Sequence, residues 1–138
     1  MMICTFFGNR DCPDSIEIDL ENCLRNLIEN AGATTFYVGN QGNFDRLAYK
    51  VLKRMKQEYP YIIYMVVLAY MPKKEKQPQE TLLPDGIENV PRRFAICYRN
   101  RFMLKKADCI VFYVRYISNG AYTYHIAAEK AGKRCIML

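Results

Sequence analysis

The segment from Asp108 to Leu138 constrains this chain more than any other. Asp108 to Val114 (DCIVFYV) is apolar, β-branched and aromatic, and short enough to be a buried strand. Arg115 to Gly120 (RYISNG) is a polar turn, and Ala121 to Ala131 (AYTYHIAAEKA) reads as a helix. Gly132 closes that helix, because glycine takes the left-handed C′ conformation without penalty. Arg134 to Leu138 (RCIML) then returns as a second apolar strand. Strand, turn, helix, strand is a βαβ unit, and strands apolar throughout belong to a parallel sheet covered by helices on both faces. Such a crossover puts the turn at the carboxyl edge of the sheet, with the first amides of the following helix pointing into it. Open α/β sheets bind ligands at that edge, and a helix N-terminus there favours an anion.

The rest of the chain repeats the pattern. Ile3 to Phe7 is a strand candidate followed by the turn Gly8-Asn9-Arg10. Asp14 or Ser15 is placed to cap a helix in which Ile16, Leu20, Leu24, Leu27 and Ile28 recur at helical spacing, ending at Ala31-Gly32. Thr34 to Val38 is a second strand, and Gly39 to Asn43 a second glycine-bearing turn at a strand end. Asn43 can cap a helix from Phe44 to Tyr59, with Leu47, Val51, Leu52 and Met55 as its buried stripe and Pro60 as its stop. Tyr61 to Ala69 (YIIYMVVLA) reads as a strand. Met71 to Pro91 is proline-rich and charged, a long surface loop of the kind that is usually functional or mobile. Phe94 to Lys106 is consistent with an amphipathic helix or a turn entering one. The expected fold is α/β: a three-layer, Rossmann-like arrangement around a five-stranded, mainly parallel sheet, occupying residues 1–138 as one domain.

Composition narrows the function classes. No secretory signal is visible at MMICTFF, and Tyr61 to Met71 is about half of what a bilayer span requires. A cytoplasmic protein without membrane contact is expected. The cysteines at 4, 12, 23, 97, 109 and 135 form no C-x-x-C pair and read as small buried hydrophobes in a reducing compartment. With His125 the single histidine, a multi-histidine metal site is excluded, and no cofactor is expected. The net charge of +6 is spread over several short clusters, which permits an anionic partner without choosing one.

Four polar turns converge on one edge in this topology: Gly8-Asn9-Arg10, Gly39 to Asp45, Tyr98 to Arg101, and Ser118 to Thr123. Glycine directly after a strand lets a phosphate approach backbone amides, and Arg10, Arg99 or Arg101 can pair with its charge. Gly39-x-x-Gly42 alone also fits a simple tight turn, and the chain contains neither a Walker A motif nor a complete G-x-G-x-x-G. Asp45 fits a ligand contact or a cap or ion pair of its own helix. His125 reads as a partly buried structural histidine, and Glu129 as an exposed carboxylate paired with a neighbouring base. Phe6, Phe7, Tyr37, Phe112 and Tyr113 read as core. Tyr116, Tyr122 and Tyr124 cluster at the final turn, where Tyr116 and Tyr122 are candidates to stack on a base; tyrosines there also suit an oligomer interface.

The segments TFFGNR, GNQGNFD, YRNRFMLKKADCIVFYV and NGAYTYHIAAEKAGK together resemble the SLOG superfamily, the Smf/DprA and Lonely-Guy-like Rossmann fold, and look closest to its small YpsA-like branch. The resemblance covers nearly the whole chain. It implies a pocket for a nucleotide or nucleotide-derived ligand at the carboxyl edge of the sheet, often in a homo-oligomer. It assigns Gly8, Asn9 and Arg10 to the first ligand turn and Gly39, Asn40, Gly42 and Asp45 to the second. Arg99 matches the arginine used by Lonely-Guy phosphoribohydrolases, and Ser118, Asn119, Gly120 and Thr123 fall on their phosphate-binding segment. Departures from that motif are pointed: Asn119 and Tyr122 stand for glycines, Asn100 for a lysine, and Ile126 for the catalytic glutamate. An isoleucine moves no proton and stabilises no oxocarbenium ion.

The leading expectation is therefore a binding protein that senses or sequesters a nucleotide-derived ligand. Hydrolysis of an N-glycosidic bond by Asp45, Glu129 or a residue of the Met71 to Pro91 loop is the first alternative. Single-stranded DNA binding of the DprA kind, on the positive charge and the tyrosines, is the second.

Overall fold

Apolar strands and amphipathic helices alternate along the chain, and the computed structural model, which describes residues 2–71, 80–116 and 120–138, assembles them around one parallel sheet. In chain order the elements are β1 (Met2–Gly8), α1 (Ile16–Asn30), β2 (Ala33–Val38), α2 (Asn43–Glu58), β3 (Ile63–Val67), β4 (Thr81–Leu82), α3 (Ala95–Lys106), β5 (Cys109–Tyr113), α4 (Gly120–Lys130) and β6 (Arg134–Met137). The strand order is β4-β3-β2-β1-β5-β6, and every neighbouring pair is parallel. The chain thus starts in the middle, winds outward to β4, then returns to the other side of β1. The reversal falls between β1 and β5, where the loops leaving the two strands diverge and open a crevice.

Period-two alternation sends successive side chains to opposite faces of the sheet. On one face, Cys4 and Phe6 of β1 and Cys109, Val111 and Tyr113 of β5 join the buried stripes of α1 (Ile16, Leu20, Leu24, Leu27, Ile28) and α2 (Leu47, Val51, Leu52, Met55). On the other, Phe7, Ile110 and Phe112 meet Met103 of α3 and Ala128 of α4. Helices on both faces make the three-layer, Rossmann-like architecture that the apolar strands imply.

The structure adds a sixth strand. Thr81 and Leu82, within the proline-rich stretch read as loop, pair with Val66 and Val67, and the Leu68 N–H donates to the Leu82 carbonyl at 2.8 Å. Two residues on an edge give no readable alternation, so this strand exists only because β3 offers a free ladder. Residues 72–79 of the same stretch lie outside the described residues. Tyr61 to Ala69 is strand over Ile63–Val67 only. Tyr98 to Arg101, expected as a turn, lies inside α3. Capping also differs. Ser15 makes no side-chain cap bond, while Asp14 accepts from Asn43 and Arg46 at 2.8 Å each and so ties α1 to α2. Asn43 is the first residue of α2 rather than its cap, and that place belongs to Gly42 at φ 93°, a left-handed backbone suited to glycine.

Among the described residues, no helix is long and apolar enough to cross a membrane, and no group of three or more His, Cys, Asp or Glu is placed to hold a metal ion. All six cysteines are free; Cys4, Cys12 and Cys109 are buried, as small hydrophobes would be.

Candidate functional site

The crevice at the strand-order reversal is a cleft of about 330 Å³, within the size range of small-molecule sites. Phe6, Phe7 and Gly8 form its floor, continued by Asn9 and Arg10. Gln41 and Asp45 line one side, Ile96, Cys97, Asn100 and Met103 of α3 another, and Gly120, Ala121 and Tyr124 of α4 the third, with Arg99 beneath. Loops from both ends of the sequence are laced together here. The Asn43 N–H donates to the Arg10 carbonyl at 2.9 Å, and the Asn9 N–H donates to the Tyr113 carbonyl at 3.0 Å.

Asn9 is 2 % exposed and joins the loops that leave β1 and β5. Its Oδ1 accepts the Arg115 backbone N–H at 2.7 Å, and that donor fixes which side-chain atom is oxygen. The Nδ2 group is therefore a donor, buried and without a partner among the described residues, on a residue that lines the cleft. An unmet buried donor costs roughly 1–3 kcal/mol, so an acceptor from a ligand is favoured there.

Arg99 and Asp45 are both buried and both approach Gly39. A Cβ at Gly39 would sit 2.7 Å from Asp45 Oδ2 and 3.1 Å from Arg99 Nη1, so only glycine leaves room for both. Arg99 is 1 % exposed; Nη1 donates to Asn40 Oδ1 and to the Val67 carbonyl, each at 3.1 Å, and Nε donates to Asn100 Oδ1 at 2.9 Å. Burial pulls its pKa below the usual arginine range, while Asp45 acts in the opposite sense. Burial pushes the Asp45 carboxyl up to about 6, against the opposing pull of the Gln41 N–H, which donates to Oδ2 at 2.9 Å, and of Arg99 and Arg10. Asp45 thus accepts from its own loop and lines the cleft at the same time. Of the readings open for it in the sequence, the structure shows this bond to the Gln41 N–H within the turn before α2, and no side-chain cap bond at Gly42.

Of the residues singled out in the sequence, Gly8, Asn9, Arg10, Asp45, Arg99 and Gly120 line this one cleft. Gly39 and Asn40 lie behind it, against Arg99. Gly42 closes on Arg10, whose Cα would be 2.7 Å from an added Cβ. Gly8 has a packing reason of its own, since a Cβ there would meet the Phe44 ring at 2.3 Å. Ser118 and Asn119 lie outside the described residues. Thr123 and Tyr122 are on α4 but not in the lining, and Tyr116, half exposed, donates to Asp11 Oδ2 at 2.8 Å away from it. The tyrosine that does enter is Tyr124, stacked on Phe7 at 4.8 Å and 17°. Its spacing from Gly120, one helical turn, carries the only local signal for that placement. His125 sits edge-on to Phe112 at 5.0 Å and bonds Glu129 at 2.9 Å, so Glu129 is engaged outside the cleft.

Sheet order and layers define a Rossmann-like α/β protein with a cleft at its strand-order reversal. Among solved structures, the chain is similar to DNA processing protein A (DprA) from Streptococcus pneumoniae, with a TM-score of 0.72 and 14% sequence identity over 99% of this chain and 50% of that one. The likeness is one of fold, and the chain spans about half the length of that protein. No protein-family model matches the chain. No curated protein matches it either.

Proposed function

We propose that the cleft binds a nucleotide or nucleotide-derived ligand, and that the protein senses or sequesters this ligand without turning it over. The observation that carries the reading is Asn9, whose buried Nδ2 has no partner among the described residues and which lines the cleft together with Arg10 and the first turn of α4. A phosphate oxygen accepting from Asn9 would meet the positive end of the α4 dipole and one exposed guanidinium. The same cleft is lined by Phe7, Ile96, Met103 and Tyr124, apolar side chains on which a planar base can stack. Anion-attracting groups beside apolar side chains suit the phosphate and the base of a nucleotide.

Absence of turnover is inferred from the acids. Glycoside hydrolysis ordinarily uses two carboxyl groups, and Asp45 is the one carboxylate among the described lining residues. Ile126 holds the place of the glutamate in the phosphoribohydrolase motif. Release of free base from nucleoside monophosphates, lost in Asp45→Asn, would replace this reading with hydrolysis. The SLOG-like segments place the reading in that superfamily, with the YpsA-like branch, a cytoplasmic location, a single domain over residues 1–138 and a homo-oligomeric state as parts of the same proposal.

Calorimetry with a panel of nucleoside mono- and diphosphates tests it. Binding by the wild type, weakened roughly tenfold or more in Asn9→Leu and Arg10→Ala, is the expected result, since each removes a charge-assisted hydrogen bond. No binding across the panel overturns it.

A second reading rests on the likeness to a DNA processing protein and on the net charge of +6. In it, single-stranded DNA lies across the same edge. Retardation of an oligonucleotide that weakens steeply with salt would support this, and none at low salt would end it.

A further inference from the structure

Cys97 differs from the other cysteines in two respects that bear on the cleft. It is the exposed one, whereas Cys4, Cys12 and Cys109 are buried and Cys23 and Cys135 are half-buried. It also lines the cleft, in the first turn of α3, close to the positive end of that helix. Tyr124, the ring stacked on Phe7, lines the same cleft. Across the same cleft are Arg10 and the unpartnered Asn9 Nδ2, groups that attract an acceptor or an anion independently of the sulfur.

We propose that Cys97 is a thiol–disulfide exchange site for small, carboxylate-bearing disulfides, and that the resulting adduct shuts the cleft to its ligand. Arg10 and the amides at the start of α4 draw in a carboxylate and so raise the local concentration of the disulfide near Sγ. The Cys97 sulfur attacks one disulfide sulfur; a new S–S bond forms as the old one breaks. The second half leaves as a thiolate, and the proton of Cys97 passes to solvent. The incoming disulfide is the oxidant and no other is needed. A free thiol reverses the step by the same exchange. The adduct occupies the space between α3 and α4 and separates Tyr124 from Phe7, so a base can no longer stack there. This last consequence rests on the nucleotide-binding reading, while the exchange itself does not.

The test compares oxidised glutathione, which carries carboxylates, with neutral hydroxyethyl disulfide, mapping adducts by mass spectrometry of the unreduced protein. The expected result is an adduct confined to Cys97 and absent in Cys97→Ser. Oxidised glutathione should react roughly fivefold or more faster relative to the neutral probe, and Arg10→Ala should abolish that preference. The neutral probe on the same variant is the internal control, because an unfolded chain would speed both reactions. Adducts forming as fast on Cys23 or Cys135, or a preference that survives Arg10→Ala, overturn the proposal. So does unchanged binding of adenosine monophosphate by the adduct. Failure of the unmodified protein to bind any nucleotide, with the Arg10-dependent exchange intact, removes the ligand reading and leaves the exchange site standing.

Discussion

Two helices, α2 and α4, bring their N-termini to the same cleft and are held in opposite ways. α2 buries Phe44, Asp45, Leu47, Ala48, Val51, Leu52 and Met55, and its first turn is fixed by Gly42, by the Asn43 N–H donating to Arg10, and by Asp45 turned inward. α4 buries Ala128 alone, and its Tyr124, His125 and Ile126 are half-buried. The sequence explains the difference: α2 carries an apolar stripe at helical spacing, whereas GAYTYHIAAEK has no clean polar face to set against one. One wall of the cleft is built into the core. The wall made by α4 rests on a few contacts, chiefly the Tyr124–Phe7 stack and the His125–Phe112 edge contact. A site with one fixed and one lightly seated wall can admit a ligand by moving α4 and leave the frame undisturbed.

Truncation should separate the two helices most sharply. Leu52→Ala removes a fully buried side chain and is expected to destabilise the fold by about 2–5 kcal/mol, read from denaturant melts. Ile126→Ala, on half-buried α4, should lose about 1 kcal/mol or less. Equal losses would break the comparison.

The next largest effect is pH-dependent and belongs to α2. Asp45 has its folded pKa raised from the ordinary 3.8 to about 6, a difference worth about 3 kcal/mol. The folded state therefore holds this proton more tightly than the unfolded chain. Stability from this group is greatest below the unfolded pKa, falls as pH rises between the two values, and is at its lowest above the folded one. Asp45→Asn should accordingly raise the urea midpoint at about pH 8 and change it little at about pH 4. A midpoint shift of equal size at both would show that ionisation of Asp45 is not its cause.

Gly132 offers a smaller effect at the far end of α4. It sits at φ 71° with nothing within 4 Å of an added Cβ, so Gly132→Ala meets backbone strain but no clash, at about 1 kcal/mol. Hydrogen exchange sharpens the same contrast without mutation: amides of α4 should exchange before those of α2, and nucleotide should protect α4 selectively. Matching protection in both helices would make the cleft rigid on both sides.

Much of the frame is legible in the chain, because its periodicities are local. The stripe Ile16, Leu20, Leu24, Leu27, Ile28 is buried as spaced, β5 is apolar on both faces, and the Gly39 to Gly42 turn follows β2. These depend on residues within a few positions of one another, where a period of two or 3.6 leaves a visible mark. Tertiary structure alone decided the rest: α3 and α4 opposite α1 and α2, a two-residue strand on the β3 edge, and Tyr124 rather than Tyr116 or Tyr122 in the cleft. It also decided that Arg99 points inward to the Val67 carbonyl, and that Asn9 gives its oxygen to Arg115 and keeps a donor in reserve. Those partners lie 32 and 106 residues apart in sequence, and hydrogen-bond satisfaction over such separations is set by where the sheet brings two loops together, which no local pattern records.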